Sequence, residues 1–143
     1  DEGEIAIIDF QDAIVGPITY DAVSLLKDVY IVWPREQQMS WLAQYWRLLV
    51  SADNLPDDSW GAFVRWYDLM GLQRHVKILG VFSRLWLRDQ KPAYMRDIPV
   101  VIDYIREACG LYSEDYSAIA DFWKWFEGTV LPKVQQADWY ATS

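Results

Sequence analysis

Apolar residues recur along most of this chain at intervals of three and four positions, which is the spacing of helices with one buried face. One stretch departs from this pattern, because residues 4–10 begin with a short, β-branched apolar run that is typical of a strand. The periodic pattern predicts helices over about residues 20–28, 36–50, 59–70, 72–88, 97–108 and 115–131. The predicted fold is therefore mainly α (α+β overall), with one short β element at the N-terminus.

Residues with strong positional preferences mark the predicted helix ends. Thr19 is a reasonable N-cap for the first helix, and Asp97 is a plausible N-cap further along the chain. Gly71 either bends or ends a helix, and Gly110 ends the one that begins near Asp97. Pro132 is expected to stop the last helix, because proline cannot continue the hydrogen-bond pattern of a helix interior.

The predicted helix over residues 72–88 separates apolar from basic side chains. Its predicted apolar face holds Leu72, Val76, Leu79 and Trp86. The opposite arc holds Arg74, Lys77, Arg84 and Arg88. This basic stripe is either an anion site or a solvated face that pairs with nearby acids, which is the commoner use of charged faces. We select Gln73, Arg74 and His75 as candidate substrate contacts. His75 is the only histidine, and it is either a polar contact or a core residue.

Composition narrows the classes of protein that this chain can represent. Its 143 residues are 52% hydrophobic and 24% charged, which suits one soluble globular domain with a core. The net charge of −8 argues against a nucleic-acid surface, although a phosphate ligand remains possible where Mg²⁺ neutralises it. No apolar run approaches the length of a membrane span, so no membrane partner is expected. Cys109 is the single cysteine, which predicts a reducing, cytoplasmic location.

Nine tryptophans stand out in a chain of this size. Aromatic faces can stack on sugar rings, but aromatic residues at helical spacing usually pack in a core or at its edge. The sequence alone therefore favours packing for most of them.

The strongest candidate chemistry lies where the predicted strand ends. Asp9 and Asp12 follow its apolar run, so a rigid strand would deliver two carboxylates into one loop. Carboxylate oxygens are the ligands that Mg²⁺ with a nucleotide phosphate requires. Alternatively, Asp12 simply satisfies backbone donors within the turn, which is a common use of aspartate.

The sequence of residues 8–21, Ile-Asp-Phe-Gln-Asp-Ala-Ile-Val-Gly-Pro-Ile-Thr-Tyr-Asp, resembles the metal-binding segment of the aminoglycoside phosphotransferase and choline kinase-like family. Members of that family share the protein-kinase architecture and use ATP with Mg²⁺. The resemblance implies that Asp9 binds the metal and that Asp12 assists through water or the sugar. It also implies that Asp21 braces the catalytic loop, whereas its position in a first helical turn would by itself suggest only favourable interaction with the helix dipole.

Three later segments, residues 71–80, 84–91 and 97–99, are similar to the branch that contains the anomeric N-acetylmuramate and N-acetylglucosamine kinases of cell-wall recycling. This similarity implies an amino-sugar substrate and peptidoglycan recycling. Two other interpretations stay open. In the first, the protein is a kinase of aminoglycosides, choline or other small alcohols. In the second, it is a helical binding or scaffold domain without catalysis.

The resemblance also implies a domain organisation. Residues 1–143 correspond to the C-terminal part of the larger lobe of a kinase-like fold, with the strand and metal-binding loop in 1–18 and a helical subdomain in 19–143. No residues here match the His-x-Asp-x-x-x-x-Asn pattern of the catalytic loop or a glycine-rich phosphate loop, so the catalytic base is expected upstream. We therefore expect no activity from this chain alone. The strand at residues 4–10 should pair with the missing N-terminal portion or with a second copy. A signal peptide on a longer precursor stays open.

Overall fold

The architecture, taken from a computed structural model, is described for residues 15–140. Its helices are α1 (Tyr20–Leu26), α2 (Arg35–Ser51), α3 (Trp60–Leu87), a 3₁₀ helix (Pro92–Asp97), α4 (Ile98–Tyr112), α5 (Ser117–Trp125), a π-helical segment (Phe126–Val130) and α6 (Leu131–Val134). Residues 15–140 contain no strand, which confirms the prediction of a mainly α fold. The predicted strand over residues 4–10 lies outside the described residues. No helix within residues 15–140 is long and apolar enough to cross a membrane.

Three predicted helix ends are wrong. Gly71 lies inside α3, which runs for 28 residues without interruption, and Gly110 lies inside α4. A single glycine costs a helix only about 1 kcal/mol, which the packing of the rest of each helix offsets. Pro132 lies in the first turn of α6, where its missing N–H needs no partner, so it begins a helix there.

Gly71 has a specific packing role. A Cβ atom built at this position would lie 3.2 Å from Cδ of Lys27, which is closer than side chains normally approach. The absence of a side chain therefore lets α1 lie directly against the middle of α3.

The helices pack around two hydrophobic clusters. The first cluster joins α1, α2 and the N-terminal half of α3 through Val23, Leu26, Leu42, Phe63 and Tyr67. The second cluster joins the C-terminal half of α3 to α4 and the last helices through Val29, Phe82, Met95, Ile98, Val101, Ile102, Ile105, Cys109, Phe126 and Leu131. At a rise of 1.5 Å per residue, α3 is about 40 Å long and reaches both clusters.

The apolar face predicted for residues 72–88 is only partly correct. Leu72 and Leu79 pack against the second cluster, but Val76 and Trp86 are 39% and 37% exposed. The buried face of α3 instead includes two polar residues, Asp68 and His75. The apolar pattern missed this face because buried polar residues look like solvent-facing positions in a sequence.

Candidate functional site

The N-terminal turn of α1 is held against α2. The backbone N–H of Tyr20 donates to the carbonyl oxygen of Pro17 at 2.9 Å, which closes the turn before the helix. The hydroxyl of Tyr45, on α2, donates to the carbonyl oxygen of Ile18 at 3.2 Å. Burial raises the pKa of Tyr45, and the negative charge of Asp21 raises it further. Pro17 and Ile18, which precede α1, are therefore held by one hydrogen bond within the turn and one from α2.

Asp21 lies in the first turn of α1 and is exposed to solvent. Thr19 immediately precedes the helix, as predicted, but its side chain does not cap it. The Thr19 hydroxyl is buried and finds no hydrogen-bond partner among residues 15–140. Thus Asp21 is the acidic group that this helix end presents to its surroundings.

Arg74 brings the middle of α3 to the start of α1. Its Nη1 atom donates to the hydroxyl of Tyr20 at 3.3 Å, and its guanidinium lies 5.6 Å from the centre of the Tyr20 ring. The Nε atom of Arg74 is buried and has no hydrogen-bond partner within the described part of the chain. Two segments that the sequence selected independently, the one ending at Asp21 and the basic helix, are therefore neighbours.

The three candidate substrate contacts on α3 do not converge on one point. Consecutive residues of a helix project about 100° apart, so Gln73, Arg74 and His75 face different surroundings. Gln73 is exposed, Arg74 lies against Tyr20, and His75 is buried with 1% of its surface accessible.

His75 is enclosed between α1 and α4. Its Nε2 atom is 3.0 Å from the carbonyl oxygen of Lys27, which can only accept, so this nitrogen carries a proton. Its ring stacks on that of Tyr104, with centroids 4.5 Å apart and planes inclined by 15°. Burial lowers the pKa of His75 to about 4, and the charges of Lys27 and Arg74 add to this effect. These surroundings favour the interpretation of a core histidine.

A buried ion-pair network, which the sequence did not reveal, lies beneath α1. Asp68 on α3 is completely buried and accepts from Nζ of Lys27 at 3.1 Å. Both terminal nitrogens of Arg35 also donate to this carboxylate, Nη2 at 2.7 Å, and the hydroxyl of Tyr112 donates at 2.9 Å. Arg35 additionally contacts Glu107 at 3.3 Å. The network ties α1, α2, α3 and α4 together at one carboxylate.

The charges in this network compensate one another. Burial alone would raise the pKa of Asp68, but the hydrogen bonds and charges of Arg35 and Lys27 outweigh burial and hold that pKa below its usual range. The hydrogen bond to Asp68 likewise raises the pKa of Arg35. One sequence signal could have indicated the buried position of Asp68. It lies three residues before Gly71 and seven before His75, on the same helix face as both.

Residues 15–140 contain no group of three or more His, Cys, Asp or Glu side chains that could hold a metal ion. The predicted metal ligands Asp9 and Asp12 lie outside the described residues. Other basic residues of the predicted stripe, Lys77, Arg84 and Arg88, are exposed, and Arg88 pairs with Asp89 at 2.7 Å.

Helix α1, with Asp21 in its first turn, directly follows the segment on which the resemblance to a phosphotransferase rests. Residues 1–60 match the model of the phosphotransferase enzyme family. The resemblance to this class is thereby confirmed.

The relatives narrow the class further. The chain is 43% identical over 104 residues to the N-acetylmuramate/N-acetylglucosamine kinase of Pseudomonas putida, covering 73% of this chain and 31% of the relative. It is 40% identical over 112 residues to the protein of the same name from Neisseria meningitidis, covering 78% and 34%. It is 41% identical over 102 residues to that from Pseudomonas aeruginosa, covering 71% and 30%. The chain thus spans about a third of the length of these relatives. No solved structure shows a significant match.

Proposed function

We propose that this chain is the C-terminal part of an ATP-dependent kinase of amino sugars, with N-acetylmuramate and N-acetylglucosamine as substrates. The observation that carries the proposal is 40–43% identity to three relatives named for that activity, over 71–78% of this chain. The intact protein, meaning the longer protein of which this chain would be a part, would supply the nucleotide-binding portion and the catalytic base. Residues 1–18 would form the strand and metal-binding loop, and residues 19–143 the helical subdomain.

In this proposal the acidic residues have distinct tasks. Asp9 holds Mg²⁺, and Asp12 assists through water or the sugar. Bound Mg²⁺ neutralises charge on the transferring phosphoryl group, which is the chief requirement of this chemistry. Asp21 does not bind the metal but orients the catalytic loop.

The geometry of α1 supports the orienting role of Asp21. A residue that positions a loop must itself be held rigidly by its surroundings. The hydrogen bond from Tyr45 to Ile18 fixes the start of α1, and the ion pair of Lys27 with buried Asp68 fixes its end. Asp21 is therefore an exposed acid on an immobilised helix.

Of the three candidate substrate contacts, Arg74 has the best placement. It is a cation beside the start of α1, where its Nη1 atom contacts the hydroxyl of Tyr20. Gln73 remains a proposed contact because it is exposed. We assign His75 a structural task, since its ring is buried and already bonded to the backbone of α1.

The biological setting is also a proposal. A kinase of these two sugars would serve the recycling of cell-wall amino sugars in the cytoplasm. The single cysteine, Cys109, is buried and needs no disulfide partner, which is compatible with a reducing compartment.

The test is a phosphoryl-transfer assay on the intact protein. We expect turnover of N-acetylglucosamine and N-acetylmuramate, and a loss of about 10²-fold or more in Asp9→Asn, which keeps the shape but removes the metal-binding charge. Asp57→Asn, in the exposed connection between α2 and α3, is the matched control and should retain full activity. Transfer to choline or an aminoglycoside in preference to both amino sugars would contradict the proposal. So would Asp9→Asn activity within about threefold of the parent.

A further inference from the structure

Arg74 differs from the other shielded cations of this protein. Within residues 15–140, three basic side chains are at least partly shielded from solvent, namely Lys27, Arg35 and Arg74. Lys27 and Arg35 both pair with the carboxylate of Asp68. Arg74 forms an ion pair with no carboxylate of residues 15–140, although the whole chain has 21 acidic and 13 basic residues. A charge shielded from water is stabilised by a counter-charge, so Arg74 is the one of these three that can bind the carboxylate of a ligand.

The side chain of Tyr20 holds Arg74 in position. Nη1 of Arg74 donates to the Tyr20 hydroxyl at 3.3 Å, and the guanidinium lies 5.6 Å from the centre of the Tyr20 ring, whose face attracts a cation. Nε is buried, so N–H donors remain on the two terminal nitrogens. The parallel N–H groups of a guanidinium match the two oxygens of a carboxylate. Arg74 is therefore a positioned group that suits an end-on carboxylate.

The location of Arg74 agrees with a role in binding the sugar, an inference that rests on the proposed function. Arg74 lies beside Tyr20, which directly precedes Asp21 at the start of α1. In the proposed function Asp21 orients the catalytic loop, and Asp9 and Asp12 precede α1 in the chain. An acceptor sugar must reach these groups for phosphoryl transfer, so it binds near this end of α1.

The two proposed sugars differ in one charged group. N-acetylmuramate is N-acetylglucosamine with an added lactyl ether, whose carboxyl group is ionised at neutral pH. We propose that Arg74 binds this lactyl carboxylate and so gives N-acetylmuramate a contact that N-acetylglucosamine cannot make. The Tyr20 ring stabilises the guanidinium when the neutral sugar is bound, which allows one site to accept both sugars.

Two other partners for Arg74 have a different consequence. An acidic side chain within residues 1–14, or a phosphate of the nucleotide, would contact Arg74 in the same way whichever sugar is bound. In the proposed function Asp9 and Asp12 already serve the metal, and Mg²⁺ neutralises the phosphate charge. Only a carboxylate of the sugar makes the effect of Arg74 depend on which sugar is present.

Turnover by the intact protein tests this dependence. We expect Arg74→Gln to lower kcat/KM for N-acetylmuramate by about 10-fold or more, mainly through a higher KM, and to change kcat/KM for N-acetylglucosamine by less than about threefold. Arg65→Gln is the matched control, since Arg65 is exposed on the same helix, and it should change neither value by more than about threefold. An equal loss on both sugars, or a loss on neither, would overturn the proposal.

The methyl ester of N-acetylmuramate separates the charge of the lactyl group from its bulk. Isothermal titration calorimetry should show that the parent binds the acid about 10-fold or more tightly than the ester. Arg74→Gln should bind the two compounds with affinities that differ by less than about threefold. The measurement on the parent requires neither turnover nor a folded variant. Equal affinity of the parent for acid and ester would overturn the proposal.

The two measurements together distinguish this inference from the proposed function. Phosphorylation of both sugars by a parent that binds acid and ester equally contradicts the role of Arg74 alone. A preference for the acid that Arg74→Gln abolishes, in a protein that phosphorylates neither sugar, contradicts the proposed function alone.

Discussion

His75 should make the stability of this protein depend on pH in the weakly acidic range. Its ring is 1% exposed, and burial lowers its pKa from an ordinary 6.5 to about 4. In the unfolded chain the same ring takes up a proton near its ordinary pKa. The unfolded state therefore binds more protons than the folded state between these two values, and stability falls as the pH falls through this window.

The size of the effect follows from the shift. A shift of one pKa unit corresponds to about 1.4 kcal/mol. The protonation of His75 in the unfolded state therefore lowers the free energy of unfolding by about 2 kcal/mol between about pH 7.5 and about pH 5, and by about 3 kcal/mol near pH 4. His75→Gln removes the titrating group, while its amide can still donate to the carbonyl oxygen of Lys27. Between about pH 7.5 and about pH 5, the free energy of unfolding of the variant should fall by about 2 kcal/mol less than that of the parent.

Urea unfolding followed by tryptophan fluorescence measures this difference at the two pH values. The difference between parent and variant isolates the contribution of His75, because the acidic groups titrate in both proteins and their contributions cancel. The protein has no other histidine, so an NMR titration of the single imidazole Cε1 proton gives its pKa directly. A midpoint near 6.5, or equal pH dependence of parent and His75→Gln, would refute the argument from burial.

Two more predictions concern carboxylates. Asp68→Asn leaves Lys27 and Arg35 without their buried counter-charge, so unfolding in urea should show a loss of about 3–5 kcal/mol, whereas Asp103→Asn, at an exposed pair, should cost less than about 1 kcal/mol. Similar losses in both would mean that burial of the network is unimportant. Asp21→Asn in the intact protein should lower turnover with little change in the Mg²⁺ concentration needed, because it removes an orienting group. A much higher Mg²⁺ requirement would instead make Asp21 a ligand.

The helices with strong apolar periodicity were predictable from the sequence. The prediction of a helix over 36–50 is confirmed by α2, Arg35–Ser51, where Pro34 precedes the first turn. The region predicted as one helix over 115–131 is helical from Ser117, with a π-helical segment between α5 and α6. These helices were predictable because the spacing of apolar residues along a helix is a local property of the sequence.

The predictions that a helix ends at Gly71 or at Gly110 were wrong because helix propensity is weaker than packing. Gly71 lies in α3 between the buried residues Tyr67 and His75, and Gly110 directly follows the buried residues Ala108 and Cys109 of α4. Propensity costs of about 1 kcal/mol are easily offset where a long helix packs on both sides. At Gly71 the missing side chain admits Lys27, which is a tertiary contact that no local pattern contains.

The candidate site was predictable in part. Residues 15–140 place Asp21 where the sequence predicted, in the first turn of α1, while the metal-binding role of Asp9 stays a prediction. The contact of Arg74 with Tyr20 joins residues 54 positions apart, and that of Lys27 with Asp68 joins residues 41 apart. Such pairs depend on the tertiary arrangement, and charged residues in a single sequence are ordinarily assigned to the surface.

The continuity of α3 has a consequence for how this protein unfolds. One uninterrupted helix supplies side chains to both hydrophobic clusters, so neither cluster can come apart without removing support from the helix that the other needs. The two clusters therefore form a single cooperative folding unit. Amide protons in the middle of α3, around the buried face of Tyr67 and Gly71, exchange with solvent only when the whole unit opens.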